Sequence, residues 1–259
     1  MRNEKKMTTN TIVKEHLIVA LDTSNETEAI KLVEKLSGYV GYFKIGLELF
    51  TAYGPRIIQA IKDTENKIFF DGKFLDIPNT VSKAVYNMVR HRVDMLNVYM
   101  SGGAVMLTEA KQALVDSAQE HNLQLPKLLG VTVLTSLTSD VLQNDLKIQD
   151  QSDEYVLHLA KLAFKNNLDG IICSPHEAKL MTQLKQEAKK LNKEFLIVTP
   201  GVRPSWADKN DQERIATPKD ALTNGATHIV VGRPITSATN PLDAVKKIYE
   251  EIQGVEIKK

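Results

Sequence analysis

Eight short apolar runs recur along this chain, separated by longer amphipathic stretches. The runs are LIVALD (Leu17–Asp22), VGYFKIG (Val40–Gly46), KIFFD (Lys67–Asp71), DMLNVY (Asp94–Tyr99), KLLGVTVL (Lys127–Leu134), DGIICS (Asp169–Ser174), FLIVTP (Phe195–Pro200) and HIVVG (His228–Gly232). Each is rich in β-branched or aromatic residues and lacks clean polar alternation. A strand with one wet face alternates, whereas a strand covered on both faces does not, so these runs read as strands of a parallel sheet. Between the first two, Glu26–Leu36 turns Ala29, Ile30, Leu32 and Val33 toward one side, with Ser24 or Asn25 placed to cap it. Glu154–Phe164, with Ser152 before it, and Pro241–Ile252, with Asn240 ahead of the proline, repeat the helical pattern. Eight strand–helix units in 259 residues predict an α/β fold, a single (β/α)8 TIM barrel, with a doubly wound sheet as the alternative. No linker, low-complexity tract or charge block marks a second domain. The barrel is therefore expected over residues 15–259, behind a flexible extension at residues 1–14.

The charge balance narrows the function classes. A net charge of +1, with 25% charged and 42% hydrophobic residues, gives a soluble globular composition. It supplies no global field to attract nucleic acid or an anionic membrane, although a local pocket for a small anion is compatible with it. The single cysteine, Cys173, excludes an intrachain disulfide and a cysteine-rich metal site, and fits a reducing cytoplasm. No run has the apolar length of a membrane span, and MRNEKKMTTNTIVKEH carries no signal-peptide core; Met7 is a possible alternative start.

Barrel enzymes place their chemistry at the C-terminal ends of the strands. Here the runs end in Asp22, Lys44 close to Gly46, Asp71 with Lys73, Thr135, Arg203 and Gly232–Arg233. Period-two alternation aims Asp71 and Lys73 to the same side, and Asp22 and Lys44 end neighbouring strands. Together they make an array of alternating sign, which is what buried charges require. An isolated D-x-K-x-x-D is ordinarily a solvated salt-bridge cluster. Convergence of several strand ends on one rim favours a site instead. Asp76 lies past the strand end, just before Ile77–Pro78, where proline should start the next helix. It is expected to face away from its own pocket and toward a neighbouring subunit.

DGKFLDIPNT (Asp71–Thr80) resembles the D-x-K-x-x-D-I-P-N-T signature of the orotidine 5′-monophosphate decarboxylase family. The similarity extends from LIVALD to VVGRPIT, through NVYMSGG (Asn97–Gly103), GVTVLTS (Gly130–Ser136), TPGVRP (Thr199–Pro204) and GRPIT (Gly232–Thr236). The resemblance implies a barrel homodimer that converts orotidine 5′-monophosphate to uridine 5′-monophosphate without cofactor or metal. It implies Lys73 as the catalytic lysine, Asp71 beside the substrate carboxylate, and Asp22 and Lys44 near the ribose. Asp76, Ile77 and Thr80 would reach the partner's site, Thr135 would contact the pyrimidine, and Arg203, Gln212, Gly232 and Arg233 would bind phosphate. Tyr99 departs from the histidine common at its position, which should alter pocket support more than chemistry.

The chemistry suits these residues. Loss of carbon dioxide leaves a carbanion at C6, which needs a fixed cation and a proton donor, and a lysine ammonium is both. Remote phosphate binding can close a lid. Arg203–Pro218, long, polar and glycine-free, reads as that lid, with Trp206 as a candidate anchor. Three alternatives stay open. A metal-dependent sugar-phosphate decarboxylase or aldolase generally carries glutamate where Lys44 stands, and lysine would repel magnesium. A Schiff-base aldolase needs a neutral Lys73 amine, which flanking aspartates oppose. A non-catalytic nucleotide-binding protein would have no need of the whole charged set. His16, His91, His121, His158, His176 and His228 show no metal-ligand spacing; His158 reads as packing or surface, His228 as the barrel bottom, and Cys173 as a small buried hydrophobe.

Overall fold

The computed structural model describes residues 14–207 and 216–255. Residues 1–13 of the expected extension and Gln212 lie outside the described residues. The strands are β1 (Leu17–Ala20), β2 (Tyr42–Ile45), β3 (Ile68–Phe74), β4 (Met95–Tyr99), β5 (Lys127–Val131), β6 (Gly170–Ile172), β7 (Leu196–Thr199) and β8 (His228–Val231). Consecutive strands pair in parallel, and β8 returns to β1 with Val230 opposite Ile18, closing the barrel. Closure excludes the doubly wound alternative, which would leave two open edges.

The absence of polar alternation has a direct cause: both faces of the strands are buried. One set of positions, including Ile18, Ala20, Phe69, Met95, Leu129 and Val131, packs as a cluster of its own inside the barrel. The alternate positions, including Leu17, Val19, Phe43, Phe70 and Leu96, pack outward into a larger layer shared with the helices. Each fully buried aliphatic side chain contributes about 1.5–3 kcal/mol. The helix Glu26–Leu36 is capped by Asn25, whose side chain accepts the Glu28 N–H at 3.2 Å. It buries Ala29, Val33 and Leu36, so its apolar stripe is rotated from the expected one and leaves Ile30 and Leu32 half-buried. Ser152 belongs to the helix Ser152–Lys165 rather than preceding it, with Gln151 at the flank. The helix Pro78–Arg90 starts on its proline, directly after Ile77.

The N-terminal ends of the strands are tied to the helices by aspartates. Asp94 Oδ2 accepts from Lys62 Nζ at 3.0 Å and from the Ile68 N–H at 2.8 Å. Asp169 Oδ2 accepts from Lys111 Nζ at 2.6 Å and from the Leu128 N–H at 2.9 Å. His228 lies at this end, packed edge-on against the rings of His16 and Tyr42. Burial first, then nearby positive groups led by His16, pushes its pKa down to about 3. Among the described residues no helix is long and apolar enough to cross a membrane.

Candidate active site

Asp22, Lys44 and Asp71 fall on the inward-facing parity of the first three strands, above Ala20, Tyr42 and Phe69. Lys44 Nζ sits between two carboxylates, 3.1 Å from Asp22 Oδ1 and 3.3 Å from Asp71 Oδ2. Lys73 Nζ donates to Asp71 Oδ1 at 2.8 Å. The result is one connected chain, Asp22–Lys44–Asp71–Lys73, of alternating sign. Burial opposes the Lys44 ammonium, but Asp71 and Asp22 outweigh it and raise its pKa above the ordinary lysine value. The expected array is therefore brought together, most of it out of solvent: Asp71 is 8% exposed.

Simple alternation does not deliver Lys73 to this position. β3 continues to Phe74 instead of ending at Asp71, and its register against β4 shifts between Phe70 and Phe74. Lys73 takes up a left-handed conformation, with φ of 51°. Such a backbone costs a non-glycine residue on the order of 1–3 kcal/mol and must be held by its surroundings. Gly72 permits the bend, because a Cβ there would lie 2.3 Å from a ring carbon of Phe70. Asn97, fully buried in β4, accepts the Lys73 N–H at 2.8 Å and donates to Asp71 Oδ1 at 2.7 Å. Asn97 was not among the expected site residues. Its signal was available: it is the polar member of MLNVY on the same parity as Met95 and Tyr99.

In front of the array is a cavity of ≈ 200 Å³. Lys44, Asp71, Lys73 and Thr135 supply its polar wall, and Phe69, Val131, Val133, Ile172, Pro200 and Val230 much of the rest. Apolar walls around a few convergent charges are the usual make-up of a small-molecule site. Cys173 also lines it, with burial holding its thiol well above the ordinary range. Tyr99 stands half-buried nearby; burial first, then the Asp71 charge, raises its phenol pKa. A larger cavity of ≈ 1020 Å³ opens at the opposite end, lined by residues such as Lys67, Lys127 and His228. It lies at the end of the barrel that ordinarily serves stability.

The other expected residues divide. Gly232 abuts the array: a Cβ there would lie 3.4 Å from Asp22 Oδ2. Arg233 follows, exposed, as the first residue of the helix Arg233–Thr236. Arg203 is buried, and its N–H donates to the Ala216 carbonyl at 2.9 Å. A parallel bridge from Val202 to Ala216 joins the two ends of the expected lid, whose residues 208–215 lie outside the described residues. Trp206 is directed to the helix Pro241–Glu251, with Lys247 Nζ 5.5 Å from its ring centre. Asp76, Ile77 and Thr80 are exposed and line no part of the chain's own cavity. Asp76 Oδ1 accepts the Ile77 N–H at 2.6 Å.

Residues 15–248 match the family described as orotidine 5′-phosphate decarboxylase / HUMPS. An orotidine 5′-phosphate decarboxylase of Moorella thermoacetica is 43% identical over 93% of this chain and 94% of its own. One from Staphylococcus epidermidis is 45% identical over 90% of this chain and 96% of its own. The crystal structure of orotidine 5′-phosphate decarboxylase from Lactobacillus acidophilus superposes with a TM-score of 0.77 at 38% identity, covering 93% of this chain and all of the other.

Proposed function

The chain belongs to the orotidine 5′-phosphate decarboxylase / HUMPS family, and we propose that it converts orotidine 5′-monophosphate to uridine 5′-monophosphate and CO2 without metal or cofactor. This is a carboxy-lyase step of pyrimidine biosynthesis, carried out in the cytoplasm. The carrying observation is the position of the Lys44 ammonium, 3.1 and 3.3 Å from the Asp22 and Asp71 carboxylates. A divalent cation would have to occupy that space, where the ammonium already bridges the two carboxylates. Lysine here supports the decarboxylase reading over the metal-dependent sugar-phosphate chemistry of related enzymes.

The reaction then runs through Lys73. The C6–carboxyl bond breaks, CO2 leaves, and the electron pair remains at C6. The Lys73 ammonium stabilises that charge and delivers its proton to C6, after which solvent reprotonates the amine. Asp71 faces the departing carboxylate and holds Lys73. Asp22 and Lys44 take the ribose hydroxyls, and Thr135 the pyrimidine. Arg203, Gln212, Gly232 and Arg233 bind the phosphate, with arginine suited to bidentate contact.

The protein acts as a homodimer in which Asp76, Ile77 and Thr80 serve the neighbouring site. Support comes from exposed apolar residues beside Asp76: Leu75 at 53% and Ile77 at 66%. Apolar side chains grouped on one exposed surface mark a site that a partner would cover. Mixing inactive Lys73→Ala with inactive Asp76→Ala should restore activity, since each heterodimer holds one intact site. No recovery after proven subunit exchange rejects the shared site.

The activity is tested by the loss of orotidine 5′-monophosphate absorbance in EDTA. Turnover that survives EDTA and falls by about 10⁴-fold or more in Lys73→Ala is expected, since proton transfer and charge stabilisation vanish together. No turnover, with activity toward a keto-sugar phosphate restored by magnesium, moves the chain to the metal-dependent branch. Tight uridine 5′-monophosphate binding without turnover makes it a nucleotide-binding protein.

A further inference from the structure

We propose that Asn97 is a positioning residue for this reaction, locking the Lys73 backbone and the Asp71 carboxylate into one unit; the proposal rests on the decarboxylase reading. Where β3 and β4 lose regular register, between Phe70 and Phe74, Lys73 falls outside the paired residues of the ladder. The Asn97 side chain accepts the Lys73 N–H at 2.8 Å, while its amide N–H reaches Asp71 Oδ1 at 2.7 Å. The same Asp71 oxygen receives Lys73 Nζ at 2.8 Å. Asp71 Oδ2 faces Lys44 at 3.3 Å. Both Asp71 oxygens are thus committed, and the direction of the Lys73 side chain is fixed from its backbone and from its tip.

The chemistry of the side chain is specific. A carboxamide offers an acceptor and a donor at fixed separation and carries no charge. Leucine offers neither, and ionised aspartate offers only acceptors. Neutrality also keeps the alternating charges intact. Asn97 is completely buried, so water does not reach it from the surface to substitute for a lost contact. A displacement of about 1 Å in a reacting group costs on the order of 100-fold in rate.

The experiment measures kcat, KM and pH profiles for wild type, Asn97→Ala and Asn97→Asp, with folded fraction followed by thermal unfolding. Asn97→Ala is expected to lose about 100-fold in kcat with KM close to wild type. Asn97→Asp separates positioning from mere support of the bulge. Its protonated carboxyl both accepts from Lys73 and donates to Asp71, whereas the ionised form does not donate and repels Asp71. Its kcat relative to wild type should therefore climb as pH falls, beginning above the ordinary carboxylate range because a second carboxylate stands beside it. A kcat of folded Asn97→Ala within about twofold of wild type overturns the proposal. If Asn97→Ala does not fold, a pH-independent activity ratio for Asn97→Asp overturns it. A wild-type protein that does not decarboxylate the substrate rejects the decarboxylase reading itself, separately from the role of Asn97.

Discussion

At the N-terminal end of the barrel, Asp94 and Asp169 each hold a lysine from a helix and a backbone N–H at the start of a neighbouring strand, Ile68 in β3 and Leu128 in β5. At the C-terminal end, Asp22 and Asp71 hold lysines that come from strands, and they accept no backbone bond from a neighbouring strand. Both ends use the same two residue types at similar distances. What differs is where the remaining hydrogen-bonding capacity goes. At the bottom it is spent on the scaffold, so the pair acts as a rivet between strand and helix. At the top it is directed at other side chains and at a cavity, so the pairs hold one another in position for something else. An aspartate–lysine contact by itself therefore says little; its second partner separates structure from chemistry.

Substitutions sharpen this contrast. Lys44→Ala, at the top, should lower kcat/KM by about 10²–10³-fold through lost electrostatic positioning, while Tm moves by no more than about 4 °C. Steady-state kinetics beside calorimetry checks both. Asp169→Ala, at the bottom, should do the reverse. It leaves the Leu128 N–H and the Lys111 ammonium without their shared acceptor, a loss of about 1–3 kcal/mol in unfolding free energy. Denaturant titration reads that loss, and kcat of the folded fraction should stay unchanged. A tenfold fall in kcat for Asp169→Ala would erase the distinction between the two ends.

An effect confined to acid pH concerns His228. Its folded pKa is pushed down to about 3 from 6.5, so the imidazole is neutral in the fold and takes a proton on unfolding at lower pH. The associated stability is complete above pH 6.5 and drains away as pH falls toward 3. Tm should drop more steeply across that window in wild type than in His228→Phe, with no difference between their slopes at neutral pH. Parallel slopes would show that the bottom of the barrel does not enforce neutrality.

The strands were legible because double burial removes polar alternation, and Asp22, Lys44 and Asp71 were legible because a strand keeps its parity to its end. Lys73 was placed correctly, but for an incomplete reason. Alternation takes no account of the left-handed backbone and register shift that carry it. Those depend on Gly72 against Phe70 and on Asn97 across the ladder. Parity along β4 marks Asn97 as a polar residue facing inward, but its bonds to Lys73 and Asp71 run between strands and are invisible to a pattern read along one of them. The capping choice between Ser24 and Asn25 was likewise a matter of geometry, settled by the Glu28 N–H. Asp76 was legible as a residue out of place, since it follows the strand and precedes a helix-starting proline.

β8 pairs with β1, and Gly232 at its end rests against Asp22. All four charges of the array arise by the end of β3, so a ribosome delivers them early and together. The proposed phosphate ligands emerge last, and the seam between the first and last strands can close only when synthesis is nearly done. Joining segments so distant along the chain is entropically slow. Turnover is thus a clock for barrel closure: in cell-free translation, activity should begin only after β8 leaves the exit tunnel, long after the array itself has been made.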